Sequence, residues 1–271
     1  MGSVLKASTA SDWRQPSPEN MLYLQLESGR VVFELAPGFA PSHIANLRKL
    51  VANEYFDGLA IVRSQDNYVV QWGDPNSGER TGMRSLGEAA EMLEGEFYRD
   101  AEGLPFNKIE SNDAYADEVG FVGGFPAGSD GEDTWLAHCF GMLGVGRANS
   151  PASGNGAELY VVTGHAPRHL DRNVTLIGRV IDGMELLTTL PRGTGPLGFY
   201  ETEGENVPIN WIRFGTDVAE GERLQVEILR TDTNTFRQLV EARSYRAEEW
   251  FVEPTGRIGL CNVPIPSRPI E

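Results

Sequence analysis

The sequence predicts a mostly β domain built from antiparallel strands, and three stretches carry that prediction. In residues 22–35, Leu22, Leu24 and Leu26 alternate with polar positions before a Glu27-Ser28-Gly29-Arg30 turn, and Val31, Phe33 and Leu35 follow it. Residues 59–72 hold two more short apolar runs around a polar turn, Ser64-Gln65-Asp66-Asn67. Residues 209–214 and 224–229 alternate again. A period of two marks a strand with one face in a core, and short polar turns join antiparallel neighbours.

The elements can be taken in order. Residues 1–20 are polar and read as a flexible lead-in, with Met1-Gly2-Ser3 as an expression remnant. After the first hairpin, Ala36-Pro37 breaks the strand and Pro41-Ser42 opens a helix, with Ser42 as its N-cap. Ile44, Leu47, Leu50 and Val51 give that helix one apolar face, and Tyr55-Phe56-Asp57-Gly58 ends it in a glycine turn. The hairpin over 59–72 follows. Arg63 closes its first strand and Gln71 sits near the end of its second, so the two polar heads share a neighbourhood with Tyr68 and Val69. A guanidinium and an amide beside an apolar floor suit a peptide: the floor takes a ring and the polar groups take its carbonyls. The alternative is a hairpin with one surface arginine.

Residues 76–135 read as an insertion. Residues 85–98 have helical spacing in Leu86, Ala89, Ala90, Leu93 and Phe97. Residues 113–133 are acidic and glycine-rich. Asp113, Asp117, Asp130 and Asp133 lack the Asp-x-Asp-x-Asp-Gly spacing and closing Glu of a calcium loop, so they read as a solvated face. Cys139 lies in an apolar run and reads as a buried thiol; a bridge to Cys261 is the alternative in an exported protein. A short helix follows Gly183 over 184–190, then a Gly/Pro-rich loop over 191–208. Residues 235–246 read as a helix with Phe236, Leu239 and Val240 on one face, and 263–271 as an extended Pro-rich tail.

Composition excludes several classes. The chain of 271 residues has 39 acidic against 23 basic side chains, a net charge of −16, which argues against a general nucleic-acid binder or a binder of anionic membranes. A hydrophobic fraction of 40% fits an ordinary globular core, and no apolar run is long enough for a membrane-spanning helix. His165 and His169 lack further ligands at metal-binding spacing, so neither a metal nor a cofactor is expected.

Three blocks together carry a resemblance. The first joins the hairpin, the Ala-Pro helix, Tyr55-Phe56-Asp57-Gly58-Leu59, and Arg63 followed after seven residues by Gln71-Trp72-Gly73-Asp74. The second joins residues 141–148, starting Gly141-Met142-Leu143-Gly144, to Asn155-Gly156-Ala157-Glu158-Leu159-Tyr160. The third joins Leu170-Asp171 to residues 176–184. In this order they resemble the cyclophilin family of peptidyl-prolyl cis-trans isomerases, over most of residues 22–190.

The resemblance implies a closed, eight-stranded antiparallel β-barrel capped by two α-helices, with a filled interior, a helical and loop insertion, and a C-terminal extension. It divides the chain into a lead-in (1–20), a barrel domain (21–216) and an extension packed on the barrel (217–271). It implies isomerisation of X-Pro bonds and assistance to protein folding. Arg63 would be the catalytic cation, Gln71 the ligand of a substrate carbonyl, and Tyr68 and Val69 would replace a pocket Phe and Met. Tyr160 and Leu170 would complete the pocket. Gly146 and Arg147 stand where the family has Ala-Asn, and Arg147 adds a cation that could favour acidic substrates. Glu158 replaces a second Gln, His169 or its neighbour Arg168 stands where the family often has Trp, and Val174 where it often has His. These departures imply weak cyclosporin binding and keep a second reading open, a non-catalytic module that binds proline peptides; Arg63 favours the enzyme. The partners implied are proline-containing peptides and folding proteins, acted on by a monomer. Similarity to bacterial relatives with export leaders points to an exported, periplasmic protein.

Overall fold

The alternation in residues 22–35 produces its hairpin. β1 (Met21–Leu26) pairs antiparallel with β2 (Gly29–Leu35), with Leu22 opposite Phe33 and Leu24 opposite Val31. The structure is a computed structural model that describes residues 2–77, 82–246 and 248–270. Six further strands complete a barrel: β3 (Ala60–Ser64), β4 (Val69–Gly73), β5 (Met142–Val145), β6 (Leu159–Val162), β7 (Leu176–Asp182) and β8 (Val207–Phe214). Around the closed barrel the order is β5-β6-β4-β3-β8-β1-β2-β7, with every neighbouring pair antiparallel and β7 returning to β5. The interior is filled by inward-facing side chains such as Leu24, Phe33, Ile61, Trp72, Val161, Ile177 and Ile212, all fully buried.

Two helices lie with this barrel, as expected: α1 (Pro41–Ala52) and α2 (Met184–Thr188). Ile44, Leu47, Leu50 and Val51 are the buried face of α1. Its N-terminus corrects the sequence reading. Ala40 occupies the cap position and Ser42 gives no side-chain cap. The free N–H groups of the first turn, on Ser42 and His43, donate instead to the Glu96 carboxylate at 2.9 and 3.0 Å, and His43 Nδ1 meets the same group at 2.6 Å. Burial works against the charge on Glu96, but these donors outweigh it and hold its carboxyl below the ordinary value.

Glu96 belongs to the segment read as a helix over 85–98, and no helix forms there. Residues 86–97 run along α1 as a strap. Asn46 donates to the Ala90 carbonyl and accepts from the Ala90 N–H, while Leu93 N–H reaches Ala152 O and Asn155 reaches Glu91 O. These outside partners take backbone groups that a helix would pair internally. Residues 78–81 of the expected insertion lie outside the described residues, as do Met1 and Glu271 of the two termini.

The Tyr-Phe-Asp-Gly turn has a physical role. Gly58 takes a left-handed φ of 73°, which glycine adopts without penalty. Asp57 accepts a bidentate pair from Arg213 on β8, at 2.7 and 2.6 Å. The turn is thereby pinned to a barrel strand.

Contacts divide the chain into two compact units. One comprises residues 17–97 and 138–224 and holds the barrel. The other comprises residues 1–16, 98–137 and 225–271. This second unit has a five-stranded sheet ordered Arg99–Asp100, Asp133–Leu136, Phe125–Ser129, Glu118–Val122, Asn107–Lys108. A three-stranded sheet joins Trp13–Arg14, Val226–Leu229 and Ser267–Pro269. The acidic, glycine-rich stretch is therefore largely strand, turning at Gly123-Gly124 with Val119, Phe121 and Trp135 buried. The expected helix near 235–246 forms as Asn234–Ser244, capped by the Thr233 hydroxyl, and Phe236 packs edge-on against Phe121 at 5.1 Å. Cys139 is buried as expected, but it is disulfide-bonded rather than a free thiol, which corrects that part of the sequence reading.

Candidate active site

The site is built on three adjacent barrel strands. β3 carries Arg63, β4 carries Val69 and Gln71, and β6 carries Glu158's neighbour Leu159 and then Tyr160. Arg63 pairs with Gln71 across β3 and β4, and Gln71 with Tyr160 across β4 and β6. A register shift between Ile61 and Arg63 brings the guanidinium opposite Gln71. These strands bound a cavity of about 510 Å³ lined by Arg63, Tyr68, Val69, Gln71, Gly146, Arg147, Glu158, Tyr160, Leu170 and Val174. Phe199, Ala148 and Asn149 complete the lining. The strands and loops thus bring ten of the eleven candidate residues together. His169 is exposed and is not among the lining residues.

Arg63 is firmly anchored in the cavity. Its Nε donates to Leu197 O at 2.8 Å, one terminal nitrogen to Gln71 Oε1 at 3.0 Å, and the other to Gln65 Oε1. Its guanidinium carbon lies 5.6 Å from the Tyr68 ring centre and 5.2 Å from that of Phe199, within cation–π range of both. Burial lowers its pKa, but an arginine stays charged at neutral pH. A guanidinium has five N–H donors. Three meet protein acceptors, so two are left over at the cavity.

Gln71 continues the chain of polar contacts. Its amide oxygen is taken by Arg63, which turns Nε2 toward Glu158 Oε2 at 3.0 Å. Glu158 in turn accepts from the Ser77 hydroxyl at 2.7 Å. Glu158 therefore fixes the rotamer and the flip of Gln71, and one of the two Nε2 protons remains for a ligand. Arg147 is tied to nearby carbonyls, Asn173 O and Ala148 O, each at 2.8 Å.

Beneath the cavity lies a polar chain that sequence reasoning missed. His138 is fully buried; its Nδ1 meets Asp171 Oδ1 at 2.9 Å and its Nε2 meets the Tyr160 hydroxyl at 2.8 Å. The carboxylate of Asp171, which also faces Arg168, can only accept, so Nδ1 carries the proton and Nε2 accepts from Tyr160. Burial holds the His138 pKa below its ordinary value and pushes that of Tyr160 up. The imidazole and phenol rings are nearly parallel, 9° apart at 6.3 Å. Gly144, opposite Tyr160 on β5, is needed for this placement: a Cβ there would overlap the phenol ring. An isolated His-Cys or Leu-Asp pair carries no signal of such a chain in sequence.

The chain is similar to known proteins over most of its length. The family model for cyclophilin-type peptidyl-prolyl cis-trans isomerases matches residues 21–211. The chain belongs to that family. A probable peptidyl-prolyl cis-trans isomerase of Brucella suis is 27% identical over 194 residues, covering 72% of this chain and 80% of that protein. A human peptidyl-prolyl cis-trans isomerase-like 3 is 25% identical over 169 residues, covering 62% of this chain and 80% of its own length. Among solved structures, cyclophilin AquaCyp293 from Hirschia baltica superposes with a TM-score of 0.72 at 25% identity, covering 94% of this chain and 92% of its own. That coverage takes in far more than residues 21–211, so this cyclophilin shares with it more than the barrel alone. The chain is a peptidyl-prolyl cis-trans isomerase, and prolyl peptides are the class of molecule it acts on.

Proposed function

We propose that Arg63, Gln71 and Tyr68 carry the isomerisation, in a pocket walled by Val69, Tyr160, Leu170 and Val174. The observation that carries this reading is the guanidinium of Arg63, held by three acceptors between two rings with two donors to spare. Rotation about a peptide bond crosses a barrier of about 18–20 kcal/mol, because resonance gives the bond partial double character. No covalent step is needed. In the twisted amide the nitrogen regains its lone pair. A fixed donor near that nitrogen stabilises the twisted form more than the planar one, which is the condition for raising the rate. Gln71 would hold a substrate carbonyl through its remaining Nε2 proton. Tyr160, Val69 and Leu170 would receive the proline ring. Gly146 and Arg147 would present backbone groups to an extended peptide.

The finer partner readings belong to the same proposal. Folding proteins with exposed X-Pro bonds are the natural substrates, acted on by a monomer. Cyclosporin is expected to bind more weakly than about 1 μM, because no indole stands at the cavity where the family often has one. A titration of the unmodified protein with the drug tests this, and tighter binding would count against it. The primary test is turnover of a proline peptide by wild type and Arg63→Ala.

A further inference from the structure

The Gly/Pro-rich connection that the sequence predicts over 191–208 contributes an aromatic ring, Phe199, to the cavity. Phe199 lines the cavity that holds Arg63 and Tyr160, and it also lines an adjoining cavity of about 270 Å³. Gln71 and Glu158 are the other side chains common to both. Phe199 therefore stands on the rim between the two spaces. It keeps 37% of its surface exposed, although the core accepts most large apolar rings of this chain.

The ring is held rather than loose. Phe199 forms a bridge with Arg63, Tyr200 N–H donates to Val62 O at 2.9 Å, and Gly193 N–H donates to Ser64 O at 2.9 Å. The loop is thus laid along β3. Gly195 N–H closes a turn onto Phe199 O at 2.9 Å. Within this turn Leu197 takes a left-handed φ of 56° and Gly198 one of 77°. A left-handed leucine persists only where its surroundings hold it. Here the result is that Leu197 O receives the Arg63 Nε–H while the Phe199 ring, two residues on, faces the same guanidinium at 5.2 Å. One turn therefore serves both the cation and the rim.

We infer that Phe199 is a specificity-determining residue that selects prolyl peptides bearing a flat apolar side chain, aromatic above all, next to the proline. The inference rests on the Arg63 site proposed above. In this reading a peptide whose proline fills the first cavity lays a flanking side chain across the rim that Phe199 shares with the second. Offset or edge-on contact with a fixed ring rewards an aromatic there beyond the area it buries. A glycine at the same place gains nothing.

The test is a panel of proline peptides with Gly, Leu, Phe or Trp placed immediately before or immediately after the proline. kcat/KM is measured for wild type, Phe199→Ala, Phe199→Tyr and Arg63→Ala. Wild type should favour Phe or Trp over Gly about three- to tenfold at one of the two positions, mainly through KM. Phe199→Tyr should keep that ratio, and Phe199→Ala should bring it close to one. A Phe199→Ala enzyme with the wild-type ratio at both positions overturns the inference. So does a uniform loss of rate across all peptides, which would make Phe199 a support for Arg63 alone. Equal turnover by wild type and Arg63→Ala removes the site and the inference with it, whereas Arg63-dependent turnover with an unchanged ratio removes only the inference.

Discussion

At the scale of single residues, the decisive question is what the fork of Arg63 does that a point charge cannot. Three of its donors are engaged with Leu197, Gln71 and Gln65, and this geometry needs a planar group with directed N–H bonds. Lysine would supply charge without the fork. Arg63→Lys and Arg63→Ala are therefore both expected to lower turnover by at least about tenfold, or roughly 1.4 kcal/mol of transition-state stabilisation. Peptide binding should weaken less than turnover, and melting temperature little. A coupled proline-peptide assay beside a melting curve reads all three, and equal turnover in Arg63→Ala would favour a binding module. Tyr160 gives a contrasting case. Its ring walls the cavity but its hydroxyl points away, to His138 Nε2. Tyr160→Phe should leave peptide KM within about twofold and yet cost roughly 1–3 kcal/mol of stability, because the imidazole nitrogen loses its buried donor. Unaltered melting of that variant would mean that the contact is not a stabilising one. Arg63, Gln71 and Tyr160 were legible because they sit in strands with fixed spacing. Phe199, His138 and Asp171 were not, because loops bring them in from far along the chain and no periodicity marks them.

At the scale of elements, the sequence reading succeeds where burial is one-sided and fails where outside partners replace internal pairing. The strands around 22–35 and 59–72 show a clear period of two, since one face fills the barrel. Residues 85–98 mimic a helix because Leu86 and Ala89 do pack on the core, but as a strap whose bonds run to α1 and to the loop at 150–155. The sheet within 98–137 was hidden by glycine and aspartate at its turns. The strap makes its own prediction. Glu96 accepts from the N–H groups of both Ser42 and His43, the role that a cap side chain usually plays. Glu96→Ala should destabilise the barrel by about 0.5–2 kcal/mol, which for a unit of this size lowers Tm by roughly 2–4 °C per kcal/mol. Thermal melting followed by circular dichroism checks it; a loss within error would show that water caps α1 equally well.

At the scale of the whole molecule, these local groups combine into a pH dependence whose sign can be worked out. His138 is buried and its pKa lies below the ordinary 6.5, with burial as the main cause and Asp171 opposing it. As pH falls below 6.5 the unfolded chain takes up a proton that the folded chain refuses, so stability falls with pH in that window. Glu96 has its carboxyl held below 4.5, so it adds a second loss once pH passes below 4.5. Asp182 acts in the opposite sense. Burial and then Glu185 raise its carboxyl above 3.8, so the folded state binds that proton first and gains slightly in acid; its partial exposure keeps the gain small. The expected curve is flat between about pH 7 and 8 and declines in two stages below, the first set by His138 and the second by Glu96 together with the more exposed Asp12, Asp232 and Glu205, whose carboxyls hydrogen bonds also hold low. His138→Gln keeps hydrogen-bonding groups in place without a titrating ring, so it should flatten the first stage while the second remains. Glu96→Gln should shrink the second stage and leave the first in place. Melting temperatures of the three proteins across this range test the assignment, and a first stage that survives intact in His138→Gln would place its origin in another group.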